Sequence, residues 1–358
     1  MLARMPHWTT TLPLLGSALL LLAGQMPAHG LTILLLSLAL AGTVFAAVHH
    51  AEVVAHRVGE PLGTLVLALA VTIIEVALII SMMMGGGAEK ATLARDTVFS
   101  AIMIVCNGIV GLCLLLGGLR HRIQGFQLHG ANAALGVLIP LAVVALILPN
   151  YLLSQPGPAI GGSQLAFLGV VGLLFYVAFV FVQTIRHRDY FLVPGSHDEE
   201  EHALPPDNRT ALASLVLLLV ALVAVVGLAK LLSPAIEGAV AAVGAPAAVV
   251  GIVIAALVLL PEGLAAARAA RADRLQTSLN LALGSVLATI GLTIPVLAAV
   301  HVYLGAPLIV GLPVRDSILL VLTLFVSTLT LATGRTTLLQ GMVHLLLFAV
   351  FLFVSVVP

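Results

Sequence analysis

The residues of this chain best placed to do chemistry are two glutamates set deep in apolar sequence. Residues 62–84 contain no charged side chain except Glu75, and residues 238–266 none except Glu262. An ionised carboxylate at the centre of a bilayer costs roughly 2.5–3.5 kcal/mol to insert, so such residues mark ion or proton sites by default. Neither run holds a lysine or arginine that could act as a fixed partner. A deep acid of this kind needs a proton or a mobile cation. Two carboxylates with nearby hydroxyl, amide and carbonyl oxygens make a hard-oxygen donor set. That set suits Ca²⁺, which takes six to eight oxygen ligands, and also admits Na⁺ or K⁺.

Candidate supporting groups lie on helical faces with the acids. Thr64, Ala68, Thr72 and Glu75 follow at spacings of four, four and three, a single small or polar face. Ser100, Asn107 and Gly111 form another, and Ser278, Ser285, Thr289 and Thr293 a third, with Asn280 nearby. Such stripes also serve as plain interhelical contacts. Pro261, directly before Glu262, lacks a backbone donor and predicts a broken helix whose freed carbonyls could coordinate a cation. Glu52 and Glu237 are secondary acids near the ends of their runs. His49, Glu52 and His56 share a face, with His50 adjacent, a spacing compatible with a transition metal. The matching positions in the second half of the chain are Pro234 and Ala241, so the histidines suit an interface or regulatory role.

These groups must be positioned by membrane helices. The chain has 358 residues, 61% of them hydrophobic and 8% charged, against about 25% charged in soluble domains. It is an all-α integral membrane protein. A span needs about 20 apolar residues. Such runs number eleven: about 9–25, 31–54, 61–84, 97–119, 131–153, 163–185, 210–232, 238–266, 277–303, 310–332 and 336–357. The first could be a signal peptide, but the cleavage site at Met26-Pro27-Ala28 is poor, and a retained helix is expected. With the N-terminus cytoplasmic, eleven of the fifteen Lys and Arg residues fall inside and four outside. That is a positive-inside distribution with the C-terminus outside. The formal net charge of zero offers nothing to nucleic acid. Cys106 and Cys113, seven apart in one run, are expected as small core residues. The hydrophilic stretch Arg186–Arg209 holds His197-Asp198-Glu199-Glu200-Glu201-His202, a solvated linker or a local attractor for cations.

The halves on either side of that linker share a pattern. Glu52 is followed seven residues later by Gly59 and then Pro61; Glu237 is followed seven residues later by Gly244 and then Pro246. A deep glutamate comes 14 residues after the first proline and 16 after the second. Five helices per half is an odd number, so the second half enters the membrane upside down relative to the first. Inverted repeats are a signature of secondary transporters.

The segments Gly59-Glu-Pro-Leu-Gly…Thr72-Ile-Ile-Glu75, Pro261-Glu-Gly-Leu-Ala-Ala-Ala-Arg268 and Ser278-Leu-Asn-Leu-Ala-Leu-Gly-Ser…Pro295 resemble the α-repeats of ChaA-type calcium/proton antiporters. These belong to the cation/calcium exchanger superfamily, and the likeness runs from about residue 31 onward. The resemblance implies that Glu75 and Glu262 are the paired central carboxylates. It implies that Asn107 and Gly284-Ser285 lie on pore-lining helices, and that Glu52 is an additional acid of the first core helix. The wider family's G-N-x-x-E pattern is absent here: Val71-Thr72-Ile73-Ile74-Glu75 and Leu259-Leu260-Pro261-Glu262 supply no asparagine. The transported cation is therefore open among Ca²⁺, Na⁺ and K⁺.

The expected organisation is an extra helix over 1–30, a five-helix repeat over 31–185, an acidic cytoplasmic loop over 186–209 and an inverted five-helix repeat over 210–358. The expected activity is cation/proton antiport, Ca²⁺ first, in the inner membrane, with no cofactor and no enzymatic site. Either one Ca²⁺ or two protons would neutralise the glutamate pair, and only loaded states would reorient. A channel and an intramembrane metalloenzyme are the readings from other classes. Partners are inorganic cations, protons and lipid; the sequence assigns no oligomeric state.

Overall fold

A computed structural model of the chain describes residues 7–23, 30–59, 62–83, 91–152, 160–192, 205–304 and 308–357. Eleven helices occupy them: α1 His7–Leu22, α2 Gly30–Val58, α3 Leu62–Met83, α4 Leu93–His121, α5 Leu128–Tyr151, α6 Gly162–Arg186, α7 Asn208–Ala242, α8 Ala248–Arg271, α9 Leu275–Leu304, α10 Val314–Leu331 and α11 Leu338–Val356. All except α1, at 16 residues, are long and apolar enough to cross a membrane. Most match the expected runs to within a few residues. The acidic cluster 197–202 lies outside the described residues.

One boundary differs. The break expected around 233–237 falls at 243–247, and α7 continues for 35 residues through Pro234. A proline costs a membrane helix one backbone hydrogen bond, and neighbouring helices let it stand. The helix ends instead at the motif glycine. Gly244 has φ +70° and Gly59, at the end of α2, has φ +77°, the left-handed backbone that only glycine adopts without cost. Glu52 and Glu237 thus occupy equivalent places, seven residues before a glycine that stops the helix.

The helices form two compact units. In the first, α2 packs along α7, with α1 and α3 against both. Small residues allow the close approach: Gly16 abuts Thr43, and Gly227 abuts Leu20. Thr43 Oγ1 donates to the carbonyls of Ala39 (2.7 Å) and Leu12 (3.4 Å). Asp207 caps α7 by accepting from the Thr210 N–H at 3.2 Å. Its hydrogen bonds from Thr210 hold the carboxyl below the usual carboxylate range.

The second unit is built on α4, whose first turns are buried almost without interruption. α8 and α11 pack on α4, while α9 packs on α6, α8 and α5. Gly341 of α11 sits on the backbone of Leu115, and Gly291 of α9 on Tyr176. A two-stranded antiparallel ribbon, β1 Ile123–Gly125 and β2 Arg335–Thr337, ties the end of α4 to the start of α11. At the other end, Leu312 N–H donates to Leu146 O (2.8 Å) and Asn150 Nδ2 to Leu312 O (2.7 Å). Asp96 and Asp316, buried near helix starts, are each held by the preceding arginine at 2.7 and 2.8 Å.

Candidate functional site

Glu75 sits past the middle of α3 and is 2% exposed, with Thr72 one turn earlier at 4%. The helix forms because this stretch is almost wholly apolar, and Gly63 lets it lie against the Ala55 carbonyl of α2. Glu262 sits past the middle of α8. The residue is half-buried, yet its Oε2 is enclosed. Glu75 is therefore drawn out of water whole, and Glu262 with one carboxylate oxygen.

The expected break at Pro261 is absent: α8 runs unbroken from Ala248 to Arg271 with Pro261 buried inside it. The missing proline donor is absorbed within a continuous helix, as often happens in membrane spans. Irregular backbone lies elsewhere, in π-helical segments at Ile104–Ile109 of α4, Val143–Ile147 of α5 and Val182–Arg186 of α6; the first of these is the one beside α8. Single π turns inside α-helices recur at functional sites. Gly263, the residue after Glu262, packs against the Ile109 side chain. The stretch of α8 just past Glu262 thus adjoins the distorted segment of α4.

Asn107 belongs to that segment and is fully buried. Its Nδ2 donates to Thr323 Oγ1 at 2.8 Å, and the Thr323 hydroxyl reaches Met103 Sδ at 3.4 Å. Its Oδ1 lies 3.1 Å from His344 Nδ1, and His344 Nε2 lies 3.0 Å from Thr330 Oγ1. Both ends of the Asn107 amide are thus committed to packing among α4, α10 and α11. Ser100 Oγ donates to the Asp96 carbonyl at 2.6 Å along its own helix.

Asn280 is placed apart from Asn107. It donates to the Phe191 carbonyl at 2.6 Å and accepts from Gln276 Nε2 at 2.8 Å. With Gly130, Ala134 and Gly284 these residues line a small pocket among α5, α6 and α9. Ser285 is half-buried and Thr289 buried further along α9. Glu52 is exposed on α2, and Glu237 accepts from Ser233 Oγ at 2.8 Å.

The histidine cluster of α2 does not assemble as metal ligands. Among the described residues no group of three or more His, Cys, Asp and Glu gathers for a metal. His50 is fully buried, its Nε2–H donating to the Thr9 carbonyl at 2.8 Å, and His49 meets Trp8 with ring centroids 5.5 Å apart. Both secure α1, while His56 faces outward. The His344 network escaped the sequence reading. Its signal was present: His344 is the only ionisable side chain in the last apolar run.

The family model for sodium/calcium exchanger protein matches this chain twice, over residues 29–185 and 213–357. The chain belongs to the sodium/calcium exchanger family. Its proteins are transporters rather than enzymes, and this member is a multi-pass membrane protein. It is 51% identical to the putative ionic transporter y4hA of Sinorhizobium fredii over 99% of this chain and 98% of that one. It is 36% identical to the sodium-potassium/proton antiporter ChaA of Escherichia coli, over 97% of this chain and 96% of that one. The fold matches the solved structure of native YfkE with a TM-score of 0.76 at 16% identity, covering 98% of this chain and 100% of that one. A crystal structure of the selenium-substituted form, described as a Ca²⁺/H⁺ antiporter protein, matches with a TM-score of 0.72 at 15% identity, over 98% of this chain and 99% of that one.

Proposed function

We propose that this protein is a cation/proton antiporter of the inner membrane that exchanges Ca²⁺ for protons by alternating access. Glu75 and Glu262 take up the cation and the protons in turn. The observation that carries this reading is the recurrence, in both halves, of a helix-ending glycine followed by a helix with a glutamate withdrawn from water. Two matches of one family model support a duplicated five-helix repeat, and the odd helix number makes the copies inverted. The positive-inside distribution supports a cytoplasmic N-terminus.

The chemistry follows from charge. An ionised carboxylate in a low-dielectric setting is costly to desolvate, and a bound proton or cation removes that cost. One Ca²⁺ or two protons cancels the charge; the empty doubly ionised form is the costly one. If only neutralised forms reorient, inward proton flow drives cation efflux. Thr72 on α3 and Ser285 and Thr289 on α9 are the supporting oxygen groups, with Glu52 and Glu237 as secondary acids at the helix ends. Ser100, Asn107 and Asn280 serve the framework through their hydrogen bonds.

A second reading, Na⁺ or K⁺ in place of Ca²⁺, is favoured by the activity of the 36%-identical relative and by the missing asparagine before each glutamate. Dissipation of a pH gradient in everted vesicles, on adding Ca²⁺, Na⁺ or K⁺ separately, decides between them. The reading requires that Glu75→Gln and Glu262→Gln each abolish the response. Full activity in both variants, or current without counter-flow of protons, would overturn it.

A further inference from the structure

We propose that His344 is a proton-binding residue of the transporter, distinct from the two glutamates, whose charge state acts on the π segment of α4. The inference rests on the antiport reading and deepens it.

His344 is fully buried and is the only ionisable residue of α11. Each ring nitrogen faces an oxygen: Nδ1 lies 3.1 Å from Asn107 Oδ1, and Nε2 lies 3.0 Å from Thr330 Oγ1. An amide oxygen can only accept, so Nδ1 carries a hydrogen. In the neutral ring the Thr330 hydroxyl therefore donates to Nε2. When Nε2 takes a proton, that hydroxyl turns and accepts from it. Both charge states keep every hydrogen bond, and the only rearrangement is the rotation of one hydroxyl. A buried neutral imidazole needs one acceptor and one donor; the hydroxyl of Thr330 meets the second need and, unlike a fixed donor, can reverse to serve the charged ring as well.

The surroundings fit a group that gains and loses charge. From α4 the groups at the imidazole are the Asn107 amide and the Cys106 carbonyl. From α10 comes Thr330; the ionisable residues of that helix, Arg315 and Asp316, lie at its opposite end. On α8 the ionisable residues are Glu262, Arg268 and Arg271, and β2 contributes Arg335. Thr330 lies in the last turn of α10, whereas Asn107 is halfway along α4. The network therefore joins the last turn of α10 to the middle of α4. A charged imidazole strengthens its bond to Asn107 Oδ1, and Asn107 is part of the segment on which Gly263, beside Glu262, packs. The proton enters and leaves at Nε2 with no other bond made or broken.

The test is exchange rate against pH for the full chain in proteoliposomes, comparing wild type, His344→Asn and Thr330→Val. A free histidine titrates near pH 6.5. The wild-type rate, followed from about pH 4 to about pH 8, should bend in that region or below it, and His344→Asn should remove the bend, changing the ratio of rates on its two sides by about fivefold or more. Thr330→Val removes an acceptor that serves the charged ring more than the neutral one, moving the bend down by about one pH unit. A His344→Asn profile superimposable on wild type overturns the proposal. Should that variant not fold, ¹⁵N ring spectra of the twelve histidines decide. One resonance should titrate and shift in Thr330→Val; histidine titrations identical in wild type and Thr330→Val overturn it. Absence of cation-driven proton flux in wild type sinks the antiport reading instead, and leaves the spectra to report on His344 alone.

Discussion

Gly59 and Gly244 hold the same left-handed backbone, φ +77° and +70°, at the ends of α2 and α7. Each follows a glutamate by seven residues and precedes a proline by two. The recurring motif is therefore a stop signal for the first helix of each half. The glycine turns the chain out of the helix. In both halves the next helix carries the deep glutamate.

Neither glycine has another atom near the place a Cβ would occupy. Alanine there meets no steric obstacle and pays only the cost of the left-handed conformation, about 1–2 kcal/mol. Gly59→Ala and Gly244→Ala should each lower the melting temperature of the purified protein. Gly136→Ala, in open space within α5, is the control that should not. Equal melting of all three variants would refute the role given to the motif.

Proton release on cation binding should accompany the glutamate chemistry. In weakly buffered detergent solution, adding Ca²⁺ should release protons, up to two per ion if both carboxyls begin protonated. Either single Glu→Gln replacement should reduce that number by at least half. A ratio near zero in wild type would contradict displacement of protons by the cation.

The helices were legible because their signal is composition and length, and a bilayer permits few alternatives to a helix. The boundary at 233–237 was misplaced because Pro234 and Lys230 resemble a loop locally, while only packing shows that α7 continues. The two glutamates were legible as isolated charges in apolar runs. The network around Asn107 was not. Its members lie in three helices, and Thr323 and Thr330 look like any other hydroxyls of a membrane span. The π segment carries no sequence signature that we recognise. Pro261 pointed to a break in α8, but α8 is continuous and the nearby distorted backbone is that of α4.

The crossing of α4 and α11 depends on residues without side chains. A Cβ on Gly341 would fall on the backbone nitrogen of Leu115, and one on Gly111 would come within 2.9 Å of His344 Cβ and 3.1 Å of Leu345 N. Backbone cannot step aside as a flexible side chain can, so overpacking of this kind costs about 1–3 kcal/mol. Gly341→Ala should lower the melting temperature and the yield of monodisperse protein. Melting no lower than that of Gly136→Ala would show that the two helices separate more easily than their packing implies.

Asp207 gives a pH dependence whose sign can be worked out. Its carboxyl is held below the usual range, first by the side-chain hydrogen bond from Thr210 at the start of α7. A group with a depressed folded-state pKa contributes its stabilisation above the unfolded pKa and loses it as pH falls through the folded value. The first turn of α7 should therefore be protected at neutral pH and open progressively on acidification below the usual aspartate range of about 4. Asp207→Asn retains an oxygen that can cap the helix but cannot titrate. It should keep the turn closed and remove the pH dependence, whereas Asp207→Ala should leave it open throughout. Hydrogen exchange at the Thr210 amide reads all three cases. The base-catalysed exchange of an open amide itself slows on acidification, so opening of the wild-type turn should appear as a shallower decline than in Asp207→Asn. Equal declines in the two proteins would mean that the carboxylate is not what closes the turn.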